Sequence, residues 1–236
     1  MPPKHHIQAI TFDAAGTIMQ VRDPVGETYA RFARDLGETL SPEALDAGFR
    51  TVFPHMPPMA FAHRTDAARV RAERAWWRDL VERVVQSAGH VADFDRYFDT
   101  LFAHYASGKA WRAYPEAHGV LKSARQRGLR VGVISNFDSR LPPILRQLGF
   151  DHLVDTVVYS TQYGAAKPDP RIFHQTVEVL QSQPESTLHV GDNLEADYHG
   201  ACAAGLQAVH LDRRDRMAAG DIPVIKHLGE LDGYLA

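Results

Sequence analysis

Cysteine is nearly absent from this chain, with Cys202 the only one in 236 residues. A single thiol excludes an intrachain disulfide framework and any CxxC site, and it fits a reducing compartment. Long hydrophobic runs are missing too. No apolar stretch approaches the ~18–20 residues of a membrane helix, and the opening MPPKHHIQ lacks a signal-peptide apolar region. Excess charge is also lacking: a net −3 gives no general attraction to nucleic acid or to acidic membranes. These absences describe a soluble, cytoplasmic protein with no nucleic-acid or membrane partner. Whether it is a monomer or a homodimer stays open.

What is present is an ordinary globular composition, 44% hydrophobic and 23% charged, able to bury a real core. Ile7–Phe12 reads as a strand. From about Gln20 to Trp111 the pattern is helical, and no strand is required there. Pro24 opens VGETYARFARDLG, Ser41 caps SPEALDAGFRTVF, and after PHMPPMAF come helices at Asp66–Ser87 and Asp93–Tyr105. Trp76 and Trp77 are expected to pack these helices, with one of them free to line a pocket. Beyond Tyr114-Pro115 the rhythm changes. The apolar strands LRVGVIS, VDTVVYS, TLHV and QAVHL alternate with helices at Ala117–Arg127, Leu141–Leu148, Asp169–Leu180 and Ala196–Ala204. Strands buried on both faces and separated by helices predict a parallel sheet in a doubly wound α/β fold, with the helical stretch inserted after the first strand. Cys202, in the small-residue helix ACAAG, is expected to pack. The cluster Arg213-Arg214 with Arg216 reads as a solvated loop.

In such sheets ligands sit beyond the carboxyl ends of the strands. Asp13 follows the first strand, Ser135-Asn136 the second, Lys167-Pro168-Asp169-Pro170 lies after the third, and Gly191-Asp192-Asn193 with Asp197 follows the fourth. Each has a plain structural use: a turn residue, a helix cap, a solvated charge, an Asx-turn. Four such groups on one sheet edge describe a site. Asp13 and Asp192 with a nearby carbonyl oxygen make an oxygen-rich place for a hard cation such as Mg²⁺. Lys167 with that cation would offset repulsion between an anionic nucleophile and an anionic substrate. Ser135, Asn136 and the amides of the Ala14–Thr17 turn can donate to phosphate or carboxylate oxygens, and an aspartate so presented can form a covalent intermediate.

The series DxxxT, a strand ending SN, KPDP and GDNxxxD resembles the four motifs of the haloacid dehalogenase (HAD) superfamily. Longer stretches, DPVGETYA, the WW pair, ISNFDSRL, KPDPRIF and HVGDN, resemble one poorly characterised branch of it. The resemblance implies a Rossmann-like core of strand order 5-4-1-2-3 over residues 1–19 and 113–236, with an all-helical cap at 20–112. It implies a Mg²⁺-dependent hydrolase acting on a small molecule, with Asp13 as nucleophile and Thr17 and Ser135 touching the transferred group. Lys167 would steady the charge, Asp13, Ala15 through its carbonyl and Asp192 would hold Mg²⁺, and Asn193 and Asp197 would support the loop.

One expected group is missing. Most phosphatases of the superfamily carry a second aspartate two residues after the first, which protonates the leaving group and then activates water. Here that position is Ala15, and general acid–base catalysis is worth ~10²–10⁴ in rate. Dehalogenase chemistry needs no acid, yet those enzymes carry a tyrosine where Phe173 stands and lack the Gly191-Asp192 pair. Phosphonatase chemistry needs a cap lysine for an imine, and no lysine lies between Thr17 and Gly108. A phosphatase-like hydrolase remains, its proton coming from the cap or the substrate, with His55, His63 and Arg64 as candidate cap contacts. A degenerate member that binds a phosphorylated ligand without turnover is the non-enzymatic alternative.

Overall fold

A computed structural model describes residues 6–61, 65–217, 220 and 222–235. β1 (Ala9–Phe12) runs through a tight turn into β2 (Met19–Val21). Four helices follow: α1 (Val25–Arg34), α2 (Pro42–Val52), α3 (Asp66–Ala88) and α4 (Phe94–Tyr105). β3 (Trp111–Ala113) then returns antiparallel to β2. From there α5 (Ala117–Gln126), β4 (Arg130–Ser135), α6 (Leu141–Gln147) and β5 (Thr156–Tyr159) alternate. A single turn, α7 (Ser160–Tyr163), precedes α8 (Pro170–Val179) and β6 (Thr187–Gly191). The chain closes with α9 (Gly200–Ala203), β7 (Gln207–Leu211) and β8 (Val224–Ile225).

The larger sheet has the order β5-β4-β1-β6-β7-β8, every pair parallel. Read from the other edge and numbered by strand within this sheet, the first five strands have the expected order 5-4-1-2-3. The two-residue β8 adds a sixth at the β7 edge. β1 sits at the centre, and its successor strands leave in opposite directions, β4 to one side and β6 to the other. That reversal opens a crevice at the carboxyl end of β1.

Both faces of the sheet are covered. Ile10, Phe12, Val131, Val133, Leu188 and Val190 pack with Leu121, Leu141 and Ile144 on one side, while Ile134, Val158 and Ala208 pack with Ile172, Phe173 and Ala201 on the other. This explains the near-continuous apolar reading of each strand. The four inserted helices enclose a separate core built on Tyr29, Leu45, Trp76, Leu80, Val84, Tyr97 and Phe98. Caps set their starts: Ser41 Oγ accepts from Ala44 N at 3.2 Å, and Thr65 Oγ1 from Ala68 N at 3.3 Å. No helix among the described residues is long and apolar enough to cross a membrane.

Three expectations are corrected. Both ends of the helical stretch are extended, because Gln20, Val21 and Trp111 form part of the β2–β3 ribbon. Strands of three residues are too short to carry a periodicity. The helix expected from Ala196 begins at Leu194 as a π-helical segment, Leu194–His199. There the Tyr198 amide reaches back five residues to the Asn193 carbonyl at 3.4 Å. Cys202 is exposed rather than packed.

Candidate active site

The register of β1 fixes where its last side chain points. Phe12 lies opposite Val133 on β4 and Val190 on β6, so Asp13 emerges between the ends of those strands, its amide donating to the Val190 carbonyl at 2.9 Å. Asp13 is buried. Its Oδ1 accepts from Lys167 Nζ at 2.7 Å and from Ser135 Oγ at 3.2 Å. No hydrogen bond among the described residues falls on its Oδ2. Lys167 is also buried and donates to the Ile134 carbonyl at 2.8 Å and to Asp197 Oδ1 at 2.5 Å.

Asp197 enters from the π-helical segment. The wider turn brings its carboxylate under the β6 end, where Oδ2 accepts from the Asn193 amide at 2.9 Å. The Asn193 side chain caps the same segment through Ala196 N at 2.8 Å. Gly191 makes room for this, since a Cβ there would lie 2.2 Å from the Asp197 carboxyl. Asp192, the next residue, stands on the exposed rim. Oxygens of Asp13, Asp192 and Asp197 all lie within 4.8 Å of one another.

Three carboxylates face one ammonium, and the charges respond accordingly. Burial alone would drive Lys167 toward neutrality, but Asp13 and Asp197 outweigh it and raise its pKa above the ordinary value. Burial works to raise Asp197 as well, yet Lys167 and His189 hold it well below the usual carboxylate range. For Asp192 the balance runs the other way, because Lys167 acts on it too weakly to offset the opposing effects. Desolvation and the neighbouring charges of Asp13 and Asp197 push its carboxyl up to about 7. An acid so displaced marks a place short of positive charge, which suits a hard cation held by oxygen donors.

The turn after Asp13 is closed by its own backbone. Gly16 N donates to the Met19 carbonyl at 2.8 Å, and Thr17, Ile18 and Met19 all donate to the Ala14 carbonyl at 3.0–3.3 Å. The Ala14 and Ala15 amides and the Ala15 carbonyl take no part in these bonds. Gly16 has φ of +102° and no space for a side chain: a Cβ would lie 2.4 Å from Asp192 Oδ2. The Thr17 hydroxyl is buried without a hydrogen-bond partner among the described residues, which is costly unless a ligand atom satisfies it.

The structure thus brings Asp13, Ser135, Lys167, Asp192 and Asp197 together, with Thr17 and Ala15 on the adjoining turn. Asn136 is engaged differently from the expectation. Its Oδ1 accepts from Lys167 N at 2.7 Å and its Nδ2 donates to the Lys167 carbonyl at 2.8 Å, so it fixes the lysine's backbone. His55 is exposed, in the 3₁₀ turn that follows α2, and bonds through Nδ1 to the Thr51 carbonyl of α2 at 2.8 Å. His63 and Arg64 lie outside the described residues.

Several residues around this region lie outside the four short motifs. His189 is buried below Asp197, with Nε2 at 3.3 Å from Asp197 Oδ1 and Nδ1 at 2.9 Å from Thr11 Oγ1. A carboxylate only accepts, so Nε2 bears the proton and Thr11 donates to Nδ1. Glu73 of α3 is buried and accepts from Ser139 Oγ and Thr161 Oγ1, both at 2.5 Å. Trp76 packs within the helices, whereas Trp77 Nε1 donates across to Asp138 at 2.6 Å. Asp138 in turn binds the Arg140 guanidinium, which lies over Trp77 and Phe102. Two signals were readable. His189 interrupts an apolar strand, and Glu73 is in phase with Trp76, Leu80 and Val84.

Comparison with known proteins agrees with this arrangement. Residues 7–205 match the family model described as haloacid dehalogenase-like hydrolase. The human protein named haloacid dehalogenase-like hydrolase domain-containing protein 3 is 35% identical over 217 residues, spanning 88% of this chain and 83% of that protein. Among solved structures, a HAD phosphatase from Thermococcus onnurineus superposes with a TM-score of 0.69 at 23% identity, covering 98% of this chain and all of the other. The L-2-haloacid dehalogenase from Xanthobacter autotrophicus gives 0.70 at 19% identity, covering 95% and 96%. With Asp13 at the end of its strand, the paired lysine and the acidic loop in place, and a family match over most of its length, this chain belongs to the haloacid dehalogenase-like hydrolase family.

Proposed function

We propose that the chain is a Mg²⁺-dependent hydrolase of small phosphate monoesters that works through an aspartyl-phosphate on Asp13, residues 20–112 forming the cap over a core of 1–19 and 113–236. One observation carries the reading. Asp13 is buried with Oδ1 held by Lys167 and Ser135, while Oδ2 is left outside every hydrogen bond among the described residues. A carboxylate oriented by one oxygen and free at the other is arranged for attack.

In the first step Asp13 attacks phosphorus. The P–O bond to the leaving group breaks, and the departing oxygen takes the electron pair. Water then attacks phosphorus, the bond from Asp13 to phosphorus breaks, and inorganic phosphate leaves with the carboxylate restored. Lys167 keeps Asp13 in place and balances charge, and the unpartnered Thr17 hydroxyl donates to the transferred group. The carboxylates of Asp13 and Asp192, with the Ala15 carbonyl, would hold Mg²⁺, whose charge offsets repulsion between nucleophile and substrate. Asp197 is committed to Lys167 and Asn193 and supports the loop.

Ala15 has only a methyl group, so protonation of the leaving oxygen comes from the cap, from the substrate or not at all. This favours substrates with good leaving groups. The dehalogenase alternative, which needs no acid, is opposed by Phe173, fully buried and packed edge-on against His189. The test is phosphate release from a panel of phosphate monoesters, beside halide release from 2-haloacids, with Mg²⁺ and with EDTA. Mg²⁺-dependent phosphate release is expected; halide release in EDTA would replace this reading with the dehalogenase one.

A further inference from the structure

The arginine cluster that follows β7 reads in sequence as a solvated loop, and for Arg213 the structure says otherwise. Its side chain is only 17% exposed, and every guanidinium nitrogen is engaged. Nε donates to the Gly16 carbonyl at 3.2 Å and Nη2 to the Thr17 carbonyl at 2.8 Å. Nη1 pairs with Glu116 Oε1 at 2.7 Å. The guanidinium carbon lies 3.6 Å from the Tyr114 ring centre, within cation–π range. Arg214 and Arg216, by contrast, are exposed.

These contacts join three pieces of chain. Gly16 and Thr17 form the turn between Asp13 and β2, while Tyr114 and Glu116 follow β3, so Arg213 grips both connections at the foot of the β2–β3 ribbon. The Tyr114 amide donates to the Ile18 carbonyl at 3.0 Å in the same place. Arg213 is itself anchored. Asp212 N donates to the Ile225 carbonyl at 2.8 Å, and Asp212 Oδ2 accepts from the Arg216 and Met217 amides at 2.7 Å each. A fork of planar donors can hold two successive carbonyls and a carboxylate at once, which a lysine ammonium cannot reproduce.

The consequence is orientational. The turn between Ala14 and Met19 is held internally only by backbone bonds to the Ala14 and Met19 carbonyls. The carbonyls of Gly16 and Thr17 are both held by Arg213. Fixing those peptide planes fixes the Thr17 hydroxyl and the Ala15 peptide relative to Asp13. The geometry points to Arg213 as a positioning residue that sets the turn for binding of the transferred phosphoryl group, an inference that rests on the phosphatase reading above. Its proposed action is through the Gly16 and Thr17 carbonyls.

The test uses beryllofluoride, a mimic of a phosphoryl group on aspartate, titrated calorimetrically into the full chain with Mg²⁺. Arg213→Lys is expected to weaken its affinity at least tenfold, with the melting temperature nearly unchanged and amide exchange at residues 16–19 accelerated. Glu116→Gln, which loosens only one arm of the clamp, should show a smaller loss. Arg214→Ala removes the same charge from the same loop and should leave affinity unchanged, which separates positioning from general charge attraction. Hydrolysis of p-nitrophenyl phosphate gives the second readout, with kcat lowered at least tenfold and KM within twofold. Wild-type affinity in Arg213→Lys, or an equal loss in Arg214→Ala, would overturn the assignment. Failure of the wild type to bind beryllofluoride would instead overturn the phosphatase reading. In that case unchanged amide exchange at residues 16–19 in Arg213→Lys would independently overturn the clamp.

Discussion

At the scale of single residues, the proposed chemistry turns on what Ala15 lacks. It is exposed on the turn two residues from Asp13, so a larger side chain meets no packed core. We predict that Ala15→Asp raises turnover of generic phosphate monoesters by ~10-fold or more, within the ~10²–10⁴ that a well-placed acid–base group supplies. The gain should be larger for alkyl phosphates than for p-nitrophenyl phosphate, whose leaving group departs without a proton. Steady-state rates on both substrates check this; a folded, Mg²⁺-competent variant with no gain and no leaving-group dependence would contradict it. His189 supplies a second prediction. Burial holds its imidazole below the ordinary pKa, with Asp197 working in the opposite direction. The unfolded chain therefore takes up a proton near pH 6.5 that the folded chain refuses until lower pH. Stability from a neutral His189 is complete above about 6.5 and is lost as pH falls below it. The destabilisation caused by His189→Gln, measured by urea unfolding, should shrink between pH 7 and pH 5. A difference constant over that range would show that His189 does not titrate as described.

At the scale of elements, the inserted helices touch the core through specific polar contacts. Glu73 on α3 reaches Ser139 before α6 and Thr161 on α7, while Trp77 reaches Asp138. Removing the acceptor leaves two hydroxyls to find new partners in a closed interface, and a buried polar group left unsatisfied costs ~1–3 kcal/mol. Glu73→Ala should lower unfolding stability by roughly that amount, and Glu73→Gln by less. Denaturant midpoints measure it, and a wild-type midpoint for Glu73→Ala would show that the contact carries no weight. The elements also mark where reading the chain stops. The strands around the site were legible because each is mostly apolar and ends in, or is followed by, a polar group, as in VGVIS and in TLHVG before Asp192. Asp13, Lys167 and Asp197 could be found from strand-end position and motif spacing. Glu73 and Arg213 could not be assigned partners, because those partners lie 66 and 88 positions away for Glu73 and 196 and 197 for Arg213, separations set by how elements pack and not by spacing along one element. The β2–β3 ribbon escaped notice because three residues on each side leave no pattern.

At the scale of the whole molecule, a parallel sheet with a central switch point presents Asp13, and the helical insertion returns to the same edge to meet it. The family likeness covers both parts of this arrangement, since the match runs through residues 7–205. In the proposed function, chemistry on phosphorus follows from Asp13 and its neighbours, and choice of substrate is assigned to the inserted helices. We predict that Asp13→Asn, which keeps shape and removes the attacking charge, abolishes phosphate release with the thermal melting profile retained. The most direct measurement of the covalent step is a single turnover of ³²P-labelled aryl phosphate with Mg²⁺, quenched in acid and digested. We predict label on the peptide that contains Asp13, released by hydroxylamine as an acyl phosphate and absent from Asp13→Asn. Phosphate release by the wild type with no label on that peptide at any quench time, or equal release by Asp13→Asn, would contradict it.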